Sequence, residues 1–295
     1  AIGYGDGAKW ESFGIPAQAS LSAAQAFIGT VKNGTGTVAF SSQKTYSGGT
    51  TVDQGMLDLT GGGGASGTIR GTATVNAGAT LRLSAGDVTG YATDATRLSI
   101  INLNGGTMTV NTTVNQTLGA AVINMTGAVI NGIEGSNLDF FATGSAVNTF
   151  ASATTSVISG TRVAMRQNNG LTFTVDDGAA AVDLDVQSQI YTNGVFAANN
   201  LIKAGAGTMK ISGLSSYTGA TYVDAGTLYV PASQSSSGYY LLADTALHIN
   251  GAPGTSFTTN VMDFDVGSMT MGISHFGSAT SAANAPVKVT GNLYV

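Results

Sequence analysis

The sequence predicts an all-β chain: a right-handed parallel β-helix with a short capping segment at its N-terminal end. Three observations carry this. Apolar side chains recur at every second position in short runs, the period of a strand with one buried face. Between the runs stand tight-turn residues, with 42 glycines among 295 residues but only four prolines. Two distant segments also repeat one another, which is the mark of a solenoid.

The repeat sets the order of the elements. Residues 31–59 read VKNGTGTVAFSSQKTYSGGTTVDQGMLDL, and residues 202–230 read IKAGAGTMKISGLSSYTGATYVDAGTLYV. They align without a gap, with 12 identities in 29 columns, among them Lys32/Lys203, Gly34/Gly205, Tyr46/Tyr217, Val52/Val223, Asp53/Asp224, Gly55/Gly226 and Leu57/Leu228. Each unit reads as a strand (Thr208-Met209-Lys210-Ile211), a Ser/Tyr/Gly turn, a strand (Thr221-Tyr222-Val223), an Asp-x-Gly corner and a third strand (Leu228-Tyr229-Val230). Asp can bond its own backbone at such a corner and Gly can take positive φ. Three strands in a coil of about two dozen residues suit a solenoid. The expected core is a set of ladders of Val, Ile, Leu, Phe and Met, with Val52, Leu57, Val223 and Leu228 inside.

Three regions follow. Residues 1–30 read as a cap or linker, in which PAQASLSAAQAFI (16–28) has helical character behind Pro16. Residues 31–231 form the solenoid, with fainter echoes of the repeat at 74–83, 101–110, 123–132 and 171–186. Residues 232–295 continue it less regularly to the strand-like KVTGNLYV. The polar, glycine-rich Ala1–Gly7 reads as a mature N-terminus and not as a signal peptide.

Segments 32–59 and 203–230 resemble the autotransporter-associated beta-strand repeat of bacterial passenger proteins, and GLTFTVDDGAAAVDLDV resembles sequence found upstream of that repeat. The resemblance implies a parallel β-helix displayed at the cell surface or secreted. The membrane barrel usual in that family has no counterpart in this sequence.

Composition excludes several functional classes. Cysteine is absent, so disulfides, thiolate zinc sites and cysteine nucleophiles are excluded. The formal net charge is −5 and no Lys/Arg cluster occurs, which argues against nucleic acid as a partner. No run of about 18 apolar residues exists to span a membrane as a helix.

Candidate chemistry is sparse. Asp183/Asp185 and Asp263/Asp265 are the first places to look for paired carboxylates, since residues two apart on a strand share a side. Such a pair could bind Ca²⁺ or serve acid/base work. The plainer expectation puts them on the wet face, with Val182, Leu184 and Val186 inside. His248 and His275, the only histidines, have no Ser/Asp partners at triad spacing and no metal-ligand spacing. Ser41-Ser42-Gln43-Lys44 spells S-x-x-K in a turn, and Asp176-Asp177-Gly178 reads as a turn. The N-x-T sequons at Asn33, Asn111, Asn115 and Asn124 fall within what a Thr-rich chain yields by chance. No cofactor or metal site is expected.

Two surfaces remain. Tyr222 and Tyr229 should share one outward face and, with Tyr239 and Tyr240, form an aromatic strip for sugars or another protein. The strand at 286–295, with Val287, Val289, Leu293 and Val295, should pair with another subunit or a following domain in a head-to-tail filament. The functional expectation is a non-enzymatic structural or adhesive subunit whose partner is another copy or a cell-surface glycan. The rival is a polysaccharide-active lyase or hydrolase.

Overall fold

A computed structural model describes residues 29–167, 170–194, 199–231, 236–242, 245–250, 257–264 and 287–294. The expected cap over 1–30 lies almost wholly outside these residues. Every regular element among them is a strand, and the strands pair in parallel into three sheets of twelve, ten and four. The molecule is a parallel β-solenoid. Eleven spacings of about 4.8 Å make the longest sheet about 50 Å from edge to edge.

The chain forms this solenoid because its apolar positions fall in phase from coil to coil. In the first sheet Val52, Val75, Leu103, Met125, Thr149 and Val175 stand in one register column. All six are almost fully excluded from solvent. In the second sheet Leu57, Leu81, Met108, Ile130, Ile158 and Val186 do the same. Each side chain therefore stacks on its like one coil away, and the core is a set of ladders with no central layer of helices. The four residues expected inside, Val52, Leu57, Val223 and Leu228, are at most 1% exposed.

The coils differ in length, and this corrects the expected grammar of the repeat. In the repeat segments Thr30 lies beside Thr50 and Leu201 beside Thr221, so these coils run only from Thr30 to Gly49 and from Leu201 to Ala220. The strand Thr208–Ile211 pairs with Thr227–Pro231. The three strands read as one coil thus belong to two successive ones. So short a coil cannot build a third strand, and the chain crosses the third side through the Tyr46 or Tyr217 turn. The third sheet, Gln116–Leu118, Asn137–Phe140, Arg162–Met165 and Ile190–Thr192, forms in the successive coils between the two repeat segments, and these coils are of unequal length, the one from Thr172 to its neighbour Ile202 being the longest of them.

The Asp-x-Gly corners behave as expected. Gly55 and Gly226 have φ of 67° and 69°. A Cβ on either would come within 2.4–2.5 Å of a carbonyl oxygen of the preceding coil, Gly36 O and Gly207 O. Only glycine fits there.

Residues Val287–Tyr294 form a strand parallel to Phe257–Phe264 of the same chain, with Val287, Val289 and Leu293 beside Phe257, Thr259 and Met262. This pairing takes one edge of the strand, at the end of the twelve-stranded sheet, so the expected pairing with another subunit or a following domain concerns its other edge. An alternating strand finds its nearest template on the previous coil of its own chain, where the join is intramolecular. Val295 lies outside the described residues.

Candidate functional site

The repeat is a device for fastening one coil to the next. The ammonium of Lys203, a side chain with no exposure, donates to Ala204 O at 3.1 Å, Gly205 O at 2.7 Å and Ala225 O at 2.9 Å. Lys32 makes the same three bonds, to Asn33 O, Gly34 O and Gln54 O, at 3.1, 2.6 and 2.9 Å. Each lysine closes its own turn and ties the Asp-x-Gly corner one coil on. Burial lowers the pKa of both lysines, and that of Lys203 falls to about 8, with the Asp183 carboxylate opposing the fall. The repeated tyrosines share a second bond: Tyr46 Oη lies 2.7 Å from Thr50 Oγ1, and Tyr217 Oη 2.5 Å from Thr221 Oγ1. The identities between the repeats are largely these fasteners.

The aspartate pair at 183 and 185 does not form a paired site. Asp183 is buried, accepting from the backbone N–H of Gly178 at 2.9 Å and of Thr208 at 2.8 Å. This corrects its expected place on the wet face. Asp183 precedes the strand Leu184–Val186 and sits in the bend leading into it, so strand alternation does not govern its side chain. Asp185 does face outward, where Ser212 and Gln187 donate to it. Asp263 lies in the strand Phe257–Phe264, while Asp265 and His275 fall outside the described residues. Lys44 of the S-x-x-K spelling donates to Ser42 Oγ and lies over the Phe40 ring.

The aromatic strip is redrawn. Tyr222 belongs to the first sheet and Tyr229 to the second, because the Asp224-x-Gly226 corner turns the chain between them, so the two do not share a face. Tyr239 points into the core and has no exposure, since it continues the inward column of Thr221. Tyr240 faces outward and stacks on Tyr222, with ring centroids 4.8 Å apart. Tyr229 stacks on His248 at 4.4 Å. Each pair spans adjacent coils, so one face of each ring is taken up by its partner.

A site that sequence reasoning missed lies on the outer face of the third sheet. Asp139 stands beside Thr117 and Ala164, and Ala164 beside Tyr191, one column across four coils. Asn137 and Arg162 are neighbours in the column before it. Arg166 Nη2 lies 2.9 Å from Asp139 Oδ2, and Asn193 Nδ2 donates to the same oxygen at 3.1 Å from two coils away. The Arg166 guanidinium covers the Phe141 ring at 4.4 Å and that of Arg162 covers Tyr191 at 5.3 Å, both cation–π contacts. Although it points away from the core, Asp139 has no exposure, because these longer side chains close over it and over the methyl of Ala164. Burial is the main cause that lifts its pKa to about 6, against the lowering influence of Arg166 and Asn193. Three atoms here have no hydrogen-bond partner: Asn137 Oδ1, Asp139 Oδ1 and Arg166 Nε. A sequence signal existed, since N-x-D-x-F (137–141), R-x-A-x-R (162–166) and Q-x-Y-x-N (189–193) all place large polar or aromatic groups in one outward phase.

Other outward columns hold the solenoid together. Asn124 Nδ2 donates to Asn102 Oδ1 and Asn148 Nδ2 to Asn124 Oδ1, at 2.8 and 3.0 Å, so the sequon at Asn124 is one rung of an amide ladder.

Residues 31–59 and 201–230 match the passenger-associated-transport-repeat family. Two segments of the chain are thus similar to that repeat. The matched segments coincide with the two lysine-fastened coil pairs, and the four third-sheet strands lie between them. Comparisons with curated proteins and with solved structures found no match.

Proposed function

We propose that the chain is a portion of the passenger region of a bacterial autotransporter, displayed at the cell surface or secreted, with a structural and adhesive task and no catalytic one. The observation that carries this is the use made of its few charges. Lys32, Lys203, Asp58 and Asp183 are all largely buried, and each bonds or pairs with an adjacent coil. An acid or base so engaged cannot reach a substrate without breaking the solenoid. The two segments similar to the passenger-associated transport repeat support display outside the cell. The partner in this reading is a glycan-bearing surface or a second copy of the chain.

The test displays the chain on a non-adherent bacterium and scores attachment to cells and to one another. Displaying cells should adhere several-fold above the undecorated strain. The purified chain should release no product from acidic and neutral polysaccharides, with or without Ca²⁺. Turnover abolished by Asp139→Asn would put the lyase or hydrolase reading first.

A further inference from the structure

We propose that the outer face of the third sheet binds a neutral saccharide, taking its hydroxyl groups at Asn137 Oδ1, Asp139 Oδ1 and Arg166 Nε. The inference rests on the adhesive reading above and supplies the class of ligand. Two acceptors and one donor, on side chains carried by adjacent coils, have no partner in the structure. Asn137 is 1% exposed and Asp139 0%, and buried polar groups left unpaired cost roughly 1–3 kcal/mol each, so a face that leaves three of them on two adjacent coils calls for an occupant. A sugar hydroxyl donates to a carboxylate or amide oxygen while accepting from a guanidinium N–H, which is the complement of this set.

The charge at the face selects against an ionic ligand. Arg162 and Arg166 are matched by Asp139 and Asp87, whose Oδ1 accepts from Thr117 N at 2.8 Å in the same sheet. No cation of this group stands in excess to hold a uronate, and no carboxylate in excess to hold an amine. The rim suits a sugar ring: Phe141 is 38% exposed, and the side chain of Arg166 is 28% exposed above the buried Asp139. Entry requires the Arg166 guanidinium to lift off Asp139, a rotamer change of a long side chain whose Nε–H then meets the sugar from the rim.

The probes are cellobiose, maltose and lactose, with glucuronic acid as the charged comparison, titrated into the full chain by calorimetry and by amide NMR shifts. At least one neutral disaccharide should saturate, shifting amides of 137–141 and 162–166. Asp139→Asn should weaken it at least tenfold, and Phe141→Ser, at an exposed position, several-fold. If Asp139→Asn does not fold, Phe141→Ser decides alone. Saturation by none of the neutral sugars, meaning that water alone fills the atoms, overturns the proposal. So does equal affinity in the variants, or a preference for glucuronic acid. Cells displaying Asp139→Asn that adhere like the parent, with no saccharide bound by either chain, would sink this inference and spare the adhesive reading. Saccharide binding without any adherence would do the reverse.

Discussion

The carboxyl of Asp139 carries two opposed influences, and their balance sets a pH dependence. Burial lifts its pKa, the Arg166 guanidinium and the Asn193 amide lower it, and burial wins, leaving the group at about 6 against a reference of 3.8. The folded state therefore holds a proton between those values that the unfolded chain has released. The stability linked to this proton is fully present below about pH 3.8 and is lost as pH rises through about 6. Asp58, whose pKa is lowered with Arg82 and Ser84 as partners, contributes in the opposite sense. The useful quantity is thus a difference. Denaturant melts of the parent and Asp139→Asn from about pH 3.5 to 7.5 should diverge between about pH 4 and 6, with the parent losing on the order of 2–3 kcal/mol relative to the variant. Parallel curves would mean that Asp139 titrates normally.

At the level of the elements, the lysine fasteners explain why the repeat reads so clearly while the polar face does not. Lys203, its turn glycine and its corner glycine answer to backbone atoms at fixed offsets, so the pattern is written within one short stretch of chain. The face around Ala164 is assembled from coils of unequal length: Asn124 finds its neighbour at Asn148, whereas Thr172 must wait until Ile202. No single spacing in the sequence announces it, and only the register brings Asp139, Arg166 and Asn193 together. Strand alternation likewise placed Val52 and Leu228 correctly and misplaced Asp183, which sits in a bend where alternation has no force. Tyr222 and Tyr229 went astray for a related reason: both alternate outward, but on opposite sides of a corner. The fastener itself is testable. Lys203→Met keeps much of the side-chain volume and strips three buried carbonyls of their donor. Thermal melts should show a loss of about 2–4 kcal/mol. Lys32→Met should behave alike, because its bonds are the same three. A loss below about 0.5 kcal/mol, no more than an ordinary surface substitution costs, would show that water serves those carbonyls equally well.

Across the whole molecule, each coil touches chiefly the coils before and after it, and the long axis runs along the inter-strand hydrogen bonds. That geometry has a mechanical meaning. Tension applied to the two ends loads those bonds head-on, so the coils peel away in succession instead of shearing together. Every coil released adds slack of about 70 to 100 Å at full extension, the shortest coils giving the least. A chain held at one end to a cell and at the other to a surface would lengthen in steps under flow, limiting the peak load on its attachment. Single-molecule pulling should record a sawtooth with increments in that range, and the highest peaks should fall where Lys32 and Lys203 bind neighbouring coils together.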